Sequence, residues 1–355
     1  MRNRGFSLLL GATVLLVAGA IYTLASAPRP AEPVAADTKV FPDLAAKLGD
    51  LTWMRLLHGG TKIDFAQIGN RWVVVEKGNY PAAAAKIRQL LLGLADLTLV
   101  EPKTTRPELF ARLDLDDPNN GKSTQVTLQN RLGNPIAELL IGKTRHDRLG
   151  TGSDGVYIRK PGEQSTWLAR GSLDLPSDAT GWLDRRIIDI PAARITSVAL
   201  TDPDGAILTL RRDTPGGAFA VADPPADTKF KDDAVLAGPA AVLAGLDLND
   251  VKPRADLPVP DRGASTAKFT TADGLDIELH LFSHDKADWL TIDATTSGAL
   301  DDGKNGASKN DAVKNDAESK TISAKTRQWV FAIAPDRAKL LRTRLADVVQ
   351  PAKGS

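Results

Sequence analysis

Cysteine is absent from the 355 residues, which removes disulfides, thiolate metal sites and cysteine nucleophiles together. The same absence suits an oxidising compartment, where a stray thiol is a liability. An excess of one charge is also lacking: 45 Lys and Arg stand against 44 Asp and Glu, so no sequence-wide field favours a nucleic acid or an acidic polymer. No nucleic-acid partner is expected. The phosphate-binding glycine patterns G-x-G-x-x-G and G-x-x-x-x-G-K-[ST] are missing, so neither a dinucleotide nor ATP has an evident cradle. No serine sits in a G-x-S-x-G elbow. What remains, with 42% hydrophobic residues, is a chain able to build real cores in two domains of ordinary size.

One long apolar run is present, at the N-terminus. In MRNRGFSLLLGATVLLVAGAIYTLASAPRP, Arg2 and Arg4 precede an apolar stretch from Phe6 to Ala27. A cleavable signal carries an apolar region of roughly 7–15 residues and a spanning helix needs about 20, and this run is closer to the second. A small-x-small pattern occurs at Ala25-Ser26-Ala27, but Pro28 follows it directly and is a poor residue after a cut. Residues 1–27 therefore read as an uncleaved anchor, with cleavage and a free protein as the alternative. The arginines favour the cytoplasmic side, which sends the bulk of the chain outward, to the periplasm in a bacterium. Residues 28–40, PRPAEPVAADTKV, read as a semi-extended spacer reaching roughly 40 Å from the bilayer.

The remainder repeats itself. Met54-Arg-Leu56, His58-Gly-Gly-Thr-Lys-Ile63-Asp-Phe65 and Trp72-Val-Val74 are answered by Val198-Ala-Leu200, Asp202-Pro-Asp-Gly-Ala-Ile-Leu208 and Phe219-Ala-Val221. Both stretches alternate apolar and polar residues around glycine-containing turns, the pattern of a β-meander. Ile87, Leu90, Leu91 and Leu94 recur at helical spacing after Pro81, whereas Pro239 interrupts the equivalent helix. Each helix leads to an exit strand, before Pro102 and before Pro253. Strand pairs follow at Val126, Leu128, Leu139 and Ile141 and at Ala267, Phe269, Leu279 and Leu281, with a last hairpin at 155–169 and at 289–331. Both copies close on a helix-like tail, Leu183–Ile190 and Leu341–Val348. The expected fold is α+β: an N-terminal transmembrane helix, then two duplicated, mainly antiparallel β-sheet domains with packed helices, at 41–191 and 192–350. Residues 295–327 carry few large apolar side chains and read as a disordered insertion in the second domain, with a docking loop as the alternative.

Candidate chemistry is sparse. His58 beside Gly59 and Gly60 could build an oxyanion hole or a metal corner, but the second copy places the turn sequence Asp202-Pro203-Asp204-Gly205 there, so the glycines read as hairpin chemistry. His280 and His284, with Asp285 and Asp288, come nearest to a metal cluster. On one strand, however, the two imidazoles stand about 13 Å apart, too far for one zinc unless the strand ends between them. Glu278 and His280 read instead as the solvent face opposite Ile277, Leu279 and Leu281. His146 lies in a polar, glycine-rich connection in which Asp147 could orient it and Ser153 could act as a nucleophile, but a solvated loop accounts for all three. The acid pairs Asp116-Asp117, Asp232-Asp233 and Asp301-Asp302 sit in turn-like contexts that do not favour a raised pKa. Trp72, Trp167 and Trp329 fall at strand positions and read as core anchors, while Trp182 could pack at the domain junction. No catalytic, cofactor-binding or metal-binding residue is assigned, and no cofactor is expected.

The anchor, the strand pattern ending in Trp72, VEKGNYPAAAAKIRQLLLGLADLTLVEPKT, ELLIGK at 138–143, GVYIRKPGEQSTWLARGSLDLP at 155–176 and WLDRRIIDIP at 182–191 together resemble a bacterial family, domain of unknown function 4340. The likeness covers about residues 41–230 directly. The insertion at 295–327 and the histidine at 58 depart from the pattern. The resemblance implies a single-pass membrane protein associated with ABC-transporter subunits of the gliding-motility type, and it carries over no catalytic residue. The expected function is a non-enzymatic, membrane-anchored periplasmic accessory or scaffold protein. A binding module for an envelope polymer or small ligand in the cleft between the domains is the second reading, and an envelope hydrolase the third.

Overall fold

The computed structural model describes residues 38–146, 154–296 and 309–350, so the expected anchor at 1–27 and the first part of the spacer lie outside the described residues. Among those described, no helix is long and apolar enough to cross a membrane. The chain is α+β, with two large antiparallel sheets of nine strands each.

The first sheet begins with a meander, β1 (Leu51–His58), β2 (Thr61–Ile68), β3 (Arg71–Val74) and the short β4 (Tyr80–Pro81). It continues through β5 (Thr98–Pro102), β6 (Thr124–Asn130), β7 (Pro135–Arg145), β8 (Gly155–Arg159) and β9 (Thr166–Arg170). The order across the sheet is β4-β3-β2-β1-β6-β7-β8-β9-β5. The second sheet holds β10 (Arg186–Ile188), β11 (Ile195–Thr201), β12 (Ile207–Arg211), β13 (Ala220–Val221) and β14 (Leu246–Pro253). It is completed by β15 (Ser265–Thr271), β16 (Leu275–His284), β17 (Ala287–Thr296) and β18 (Trp329–Ile333). Its order, β10-β14-β18-β17-β16-β15-β11-β12-β13, read from the far end, matches the first sheet strand for strand from β13 against β3 to β14 against β5. Each sheet then carries one strand outside that match, β4 in the first and β10 in the second.

Alternation decides which face is inside. Met54 and Leu56 on β1 and Ile63 and Phe65 on β2 are buried, as are Val198, Leu200, Leu208 and Leu210 at the equivalent places. Helix α1 (Ala84–Asp96) lays Ile87, Leu90, Leu91 and Leu94 on the first sheet, as its spacing predicts. In the second module Pro239 limits α2 to Asp233–Ala237, and a 3₁₀ turn at Pro239–Ala241 follows, because proline removes a donor and clashes with the preceding turn.

Four expectations are corrected. Residues 295–327 are not simply a disordered insertion: Thr295 and Thr296 end β17, and Lys309–Thr326 form helix α3, while 297–308 lie outside the described residues. The helix is polar, yet Asn315, Ser319 and Thr326 are buried on one side, where hydrogen bonds replace apolar burial. Thr326 Oγ1 donates to the Ile292 carbonyl (3.0 Å) and Ser323 Oγ to that of Ala294 (3.1 Å). Asn315 Nδ2 donates to the carbonyl of Asp273, and Arg194 bridges Glu318 (2.9 Å) and Asp273 (2.8 Å). Second, the tail at 183–190 is not helical, since a 3₁₀ turn at Ala179–Trp182 gives way to strand β10. Third, β10 pairs with β14, so the end of the expected first domain at 41–191 belongs to the second sheet. Fourth, the spacer does not run to residue 40: Lys39 bridges Thr98 at the edge of the first sheet, and Val40 is buried.

Residues 182–186 form one device at the seam. Ala83 N–H donates to the Trp182 carbonyl (2.7 Å) and Asp184 N–H to that of Pro81 (3.0 Å), which ties residues 182–184 to the edge of the first sheet. The next residues run onto the other sheet, where Leu248 N–H donates to the Arg185 carbonyl (2.9 Å) and Arg186 pairs with Asp247. One short segment thus satisfies both facing edges, whose backbone groups would otherwise be open to foreign strands.

Candidate functional site

Each of the four histidines has a polar partner close by. Gly59 and Gly60 both have positive φ (53° and 77°), the requirement of a two-residue hairpin turn joining β1 to β2. His58 Nδ1 lies 3.2 Å from the Ser123 carbonyl and 3.1 Å from Thr124 Oγ1, so its ring braces β1 against β6. His280 stands 3.5 Å from Glu278 and 3.4 Å from Thr266 Oγ1, on the face opposite the buried Ile277, Leu279 and Leu281. His284 pairs with Asp285 at the following turn (3.0 Å), while Asp288 turns away to Arg342 (2.7 Å). No group of three or more metal-ligating side chains forms among the described residues. His146 contacts Asp154 (3.1 Å) and is mostly exposed; Asp147 and Ser153 lie outside the described residues. Of the acid pairs, Asp116 accepts from the backbone N–H of Lys122, and Asp117 is held below its ordinary pKa by hydrogen bonds from Asn119, as in a turn. Asp233 accepts from the Phe219 N–H (2.8 Å), and Asp301-Asp302 lie outside the described residues.

The tryptophans are redistributed. Trp72, Trp167 and Trp329 are half-buried at the margin of the core, whereas Trp182 is completely buried, edge-to-face with Phe65 at 5.2 Å, with its indole N–H on the Pro176 carbonyl (3.0 Å). Trp329 meets the other module through Tyr80. The Tyr80 ring lies edge-to-face with Trp329 (5.1 Å) and Phe331 (6.2 Å), and its hydroxyl donates to the Asp184 carbonyl (3.3 Å). Burial, and then the Asp184 carboxylate, push the phenol's pKa well above its ordinary value, so it stays neutral. Beside it Lys77 pairs with Asp250 across the seam (2.6 Å), and Gly78 at φ 66° approaches Pro253 so closely that a Cβ would sit 2.5 Å from its ring.

A concavity of about 930 Å³ opens along this seam. Its floor is apolar, from Trp72, Pro81, Ala82, Ile87, Leu91 and Leu92, and helix α3 supplies the opposite wall through Thr321, Ala324 and Lys325. Four charged groups rim it. Lys325 lies 3.7 Å from Asp184 and also donates to the Arg186 carbonyl, so those two opposite charges offset each other. Arg71 and Arg88 have no carboxylate partner among the described residues, and Leu92 is 48% exposed beside them. The cleft therefore offers an apolar strip with net positive charge. The sequence held its signal: Ala84, Arg88 and Leu92 recur every four residues, a second stripe beside the core stripe of α1. The opposite wall is not legible in the sequence, because the buried residues of α3 are polar.

No curated protein and no solved structure matches the chain. A family model described as domain of unknown function 4340 matches residues 72–258, from Trp72 through the seam into the second module and over more than half of the 355 residues. The chain therefore belongs to the domain of unknown function 4340 family.

Proposed function

We propose that this protein is a non-enzymatic, membrane-anchored periplasmic scaffold, built by duplication of one α+β module and working as an accessory to an ABC-type transport system. The seam carries the reading. A segment hydrogen-bonded to both sheets, with Tyr80 wedged between Trp329 and Phe331, favours two modules held in fixed relation over two lobes that close around a substrate. A fixed double module suits presentation of a long surface to partners. The length of the apolar run at Phe6–Ala27 supports the anchor, and Arg2 and Arg4 before it support an orientation with both modules outside. The association with transporter subunits rests on the family resemblance.

Crosslinking in native membranes, followed by mass spectrometry of what copurifies with the full-length chain, tests the proposal. Recovery of transporter subunits, with crosslinks confined to one face of the two modules, is the expected result. Glycan fragments in place of protein partners would move the reading to an envelope-polymer binding module, for which the seam cleft is the specific observation.

A further inference from the structure

We infer that the seam cleft docks an acidic, amphipathic segment of a protein partner, an assignment that rests on the scaffold reading and gives it an interface. Charge selects the occupant's sign. Arg71 and Arg88 line the cleft without a carboxylate partner among the described residues, whereas the acid at the rim, Asp184, is already countered by Lys325. An incoming carboxylate meets two free guanidiniums, which bind planar carboxylates in bidentate fashion. An incoming ammonium meets uncompensated like charge.

Shape selects the occupant's class. The cleft is open to solvent along one side, with Leu92 still 48% exposed. A lone acyl chain or small ligand laid there would keep much of its apolar surface wet. A segment belonging to a larger body gains the same floor and has its outer side covered by its own protein. Two walls, helix α1 with the start of β3 on one side and helix α3 on the other, make a groove of the kind that takes an amphipathic helix with anchors at i, i+3, i+4 and i+7. The groove is preformed, because the strand stitch and Tyr80 tie the two modules together and Thr326, Ser323 and Glu318 seat helix α3 on the second, so binding needs no folding or closure step.

The test is fluorescence anisotropy of labelled helical peptides added to the full-length chain in detergent. One peptide carries leucines at i, i+4 and i+7 flanked by glutamates; the second replaces every glutamate with lysine; the third is a scramble of the first. The acidic peptide is expected to bind, to weaken with salt, and to lose about tenfold in affinity when both Arg71→Glu and Arg88→Glu are present. The same double variant should gain affinity for the lysine peptide. Both arginines are exposed and lack acidic partners, so the variant is expected to fold, and an unchanged unfolding midpoint verifies it. Leu92→Asp should weaken the acidic peptide independently. Equal binding of acidic and basic peptides, binding of the scramble, or no response to the charge reversal overturns the assignment, as does capture of anionic phospholipid vesicles with no peptide binding. Transporter subunits that still crosslink to wild-type chain in that event would leave the scaffold reading standing and remove only the cleft from it.

Discussion

Replacing Tyr80 with alanine probes the seam at its centre. The side chain is completely buried, and it joins the edge of the first sheet to two aromatic rings on β18 of the second. Loss of a buried aromatic ring to alanine costs about 3–5 kcal/mol when its neighbours cannot collapse into the space, and each edge-to-face pair holds about 0.5–1.5 kcal/mol of that. Tyr80→Phe removes only a long hydrogen bond to the Asp184 carbonyl and should cost about 1 kcal/mol or less. The assay is urea unfolding of the full-length chain followed by tryptophan fluorescence. Wild-type protein should unfold in one transition, because the stitched modules share a cooperative unit. Tyr80→Ala should lower the first midpoint and separate the transitions. A double cycle with Trp329→Ala should return about 1 kcal/mol of coupling. A Tyr80→Ala cost below about 1 kcal/mol, or no coupling to Trp329, would refute the wedge.

His58→Ala should cost about 1 kcal/mol or less and leave the crosslinking pattern in native membranes unchanged, because the ring braces Ser123 and Thr124; loss of crosslinks in a folded variant would make it a site residue. Gly78→Ala should destabilise by more than about 1 kcal/mol, since the left-handed backbone and the Pro253 ring both oppose a methyl group; thermal melting reads it. Amides of residues 315–326 should exchange with deuterium as slowly as those of a seated helix, and exchange at the rate of free chain would contradict the docking of α3. Asp273 and Asp288 both sit below their ordinary pKa: burial alone would raise them, and hydrogen bonds from Thr271 and Arg194, or from Arg342 and Ser283, more than offset it. A depressed carboxylate adds stability that is complete above its unfolded pKa, about 4, and is lost as pH falls through its lower folded value. Acid titration of the melting temperature should thus show a fall below about pH 4 that Arg194→Met and Arg342→Met each reduce.

Much of the fold was legible because its signals are periodic. The alternation in Met54–Phe65 and in Val198–Leu210 is set by which face is buried, and the buried face is what the sheet requires. Helix α1 announces itself by four leucines and isoleucines on one side. The seam was not legible, since strand β10 is three residues long and its pairing with β14 depends on where a whole module sits. Helix α3 escapes for a different reason: its buried face is made of Asn315, Ser319 and Thr326, which hydrogen-bond to the Asp273 carbonyl in a turn, the Asp316 carbonyl of the helix itself and the Ile292 carbonyl of β17, and leave no apolar stripe to read. The cleft inherits both omissions, because one wall is α3 and its floor lies along the seam. The turn at Gly59 and Gly60 is legible by comparison with Asp202–Gly205, and both glycines have the positive φ of a hairpin turn.

The absence of cysteine makes the decisive measurement clean, because two introduced cysteines will be the only labelling sites. Spin labels at Gln67→Cys on the first sheet and Lys268→Cys on the second, both exposed, report the distance between the modules by pulsed dipolar spectroscopy. A single narrow distribution, unchanged by the acidic peptide and broadened by Tyr80→Ala, is the result expected of a fixed double module. A broad or two-peaked distribution in the wild-type chain, or one that shortens when a ligand binds, would contradict the fixed scaffold and make the protein a closing clamp.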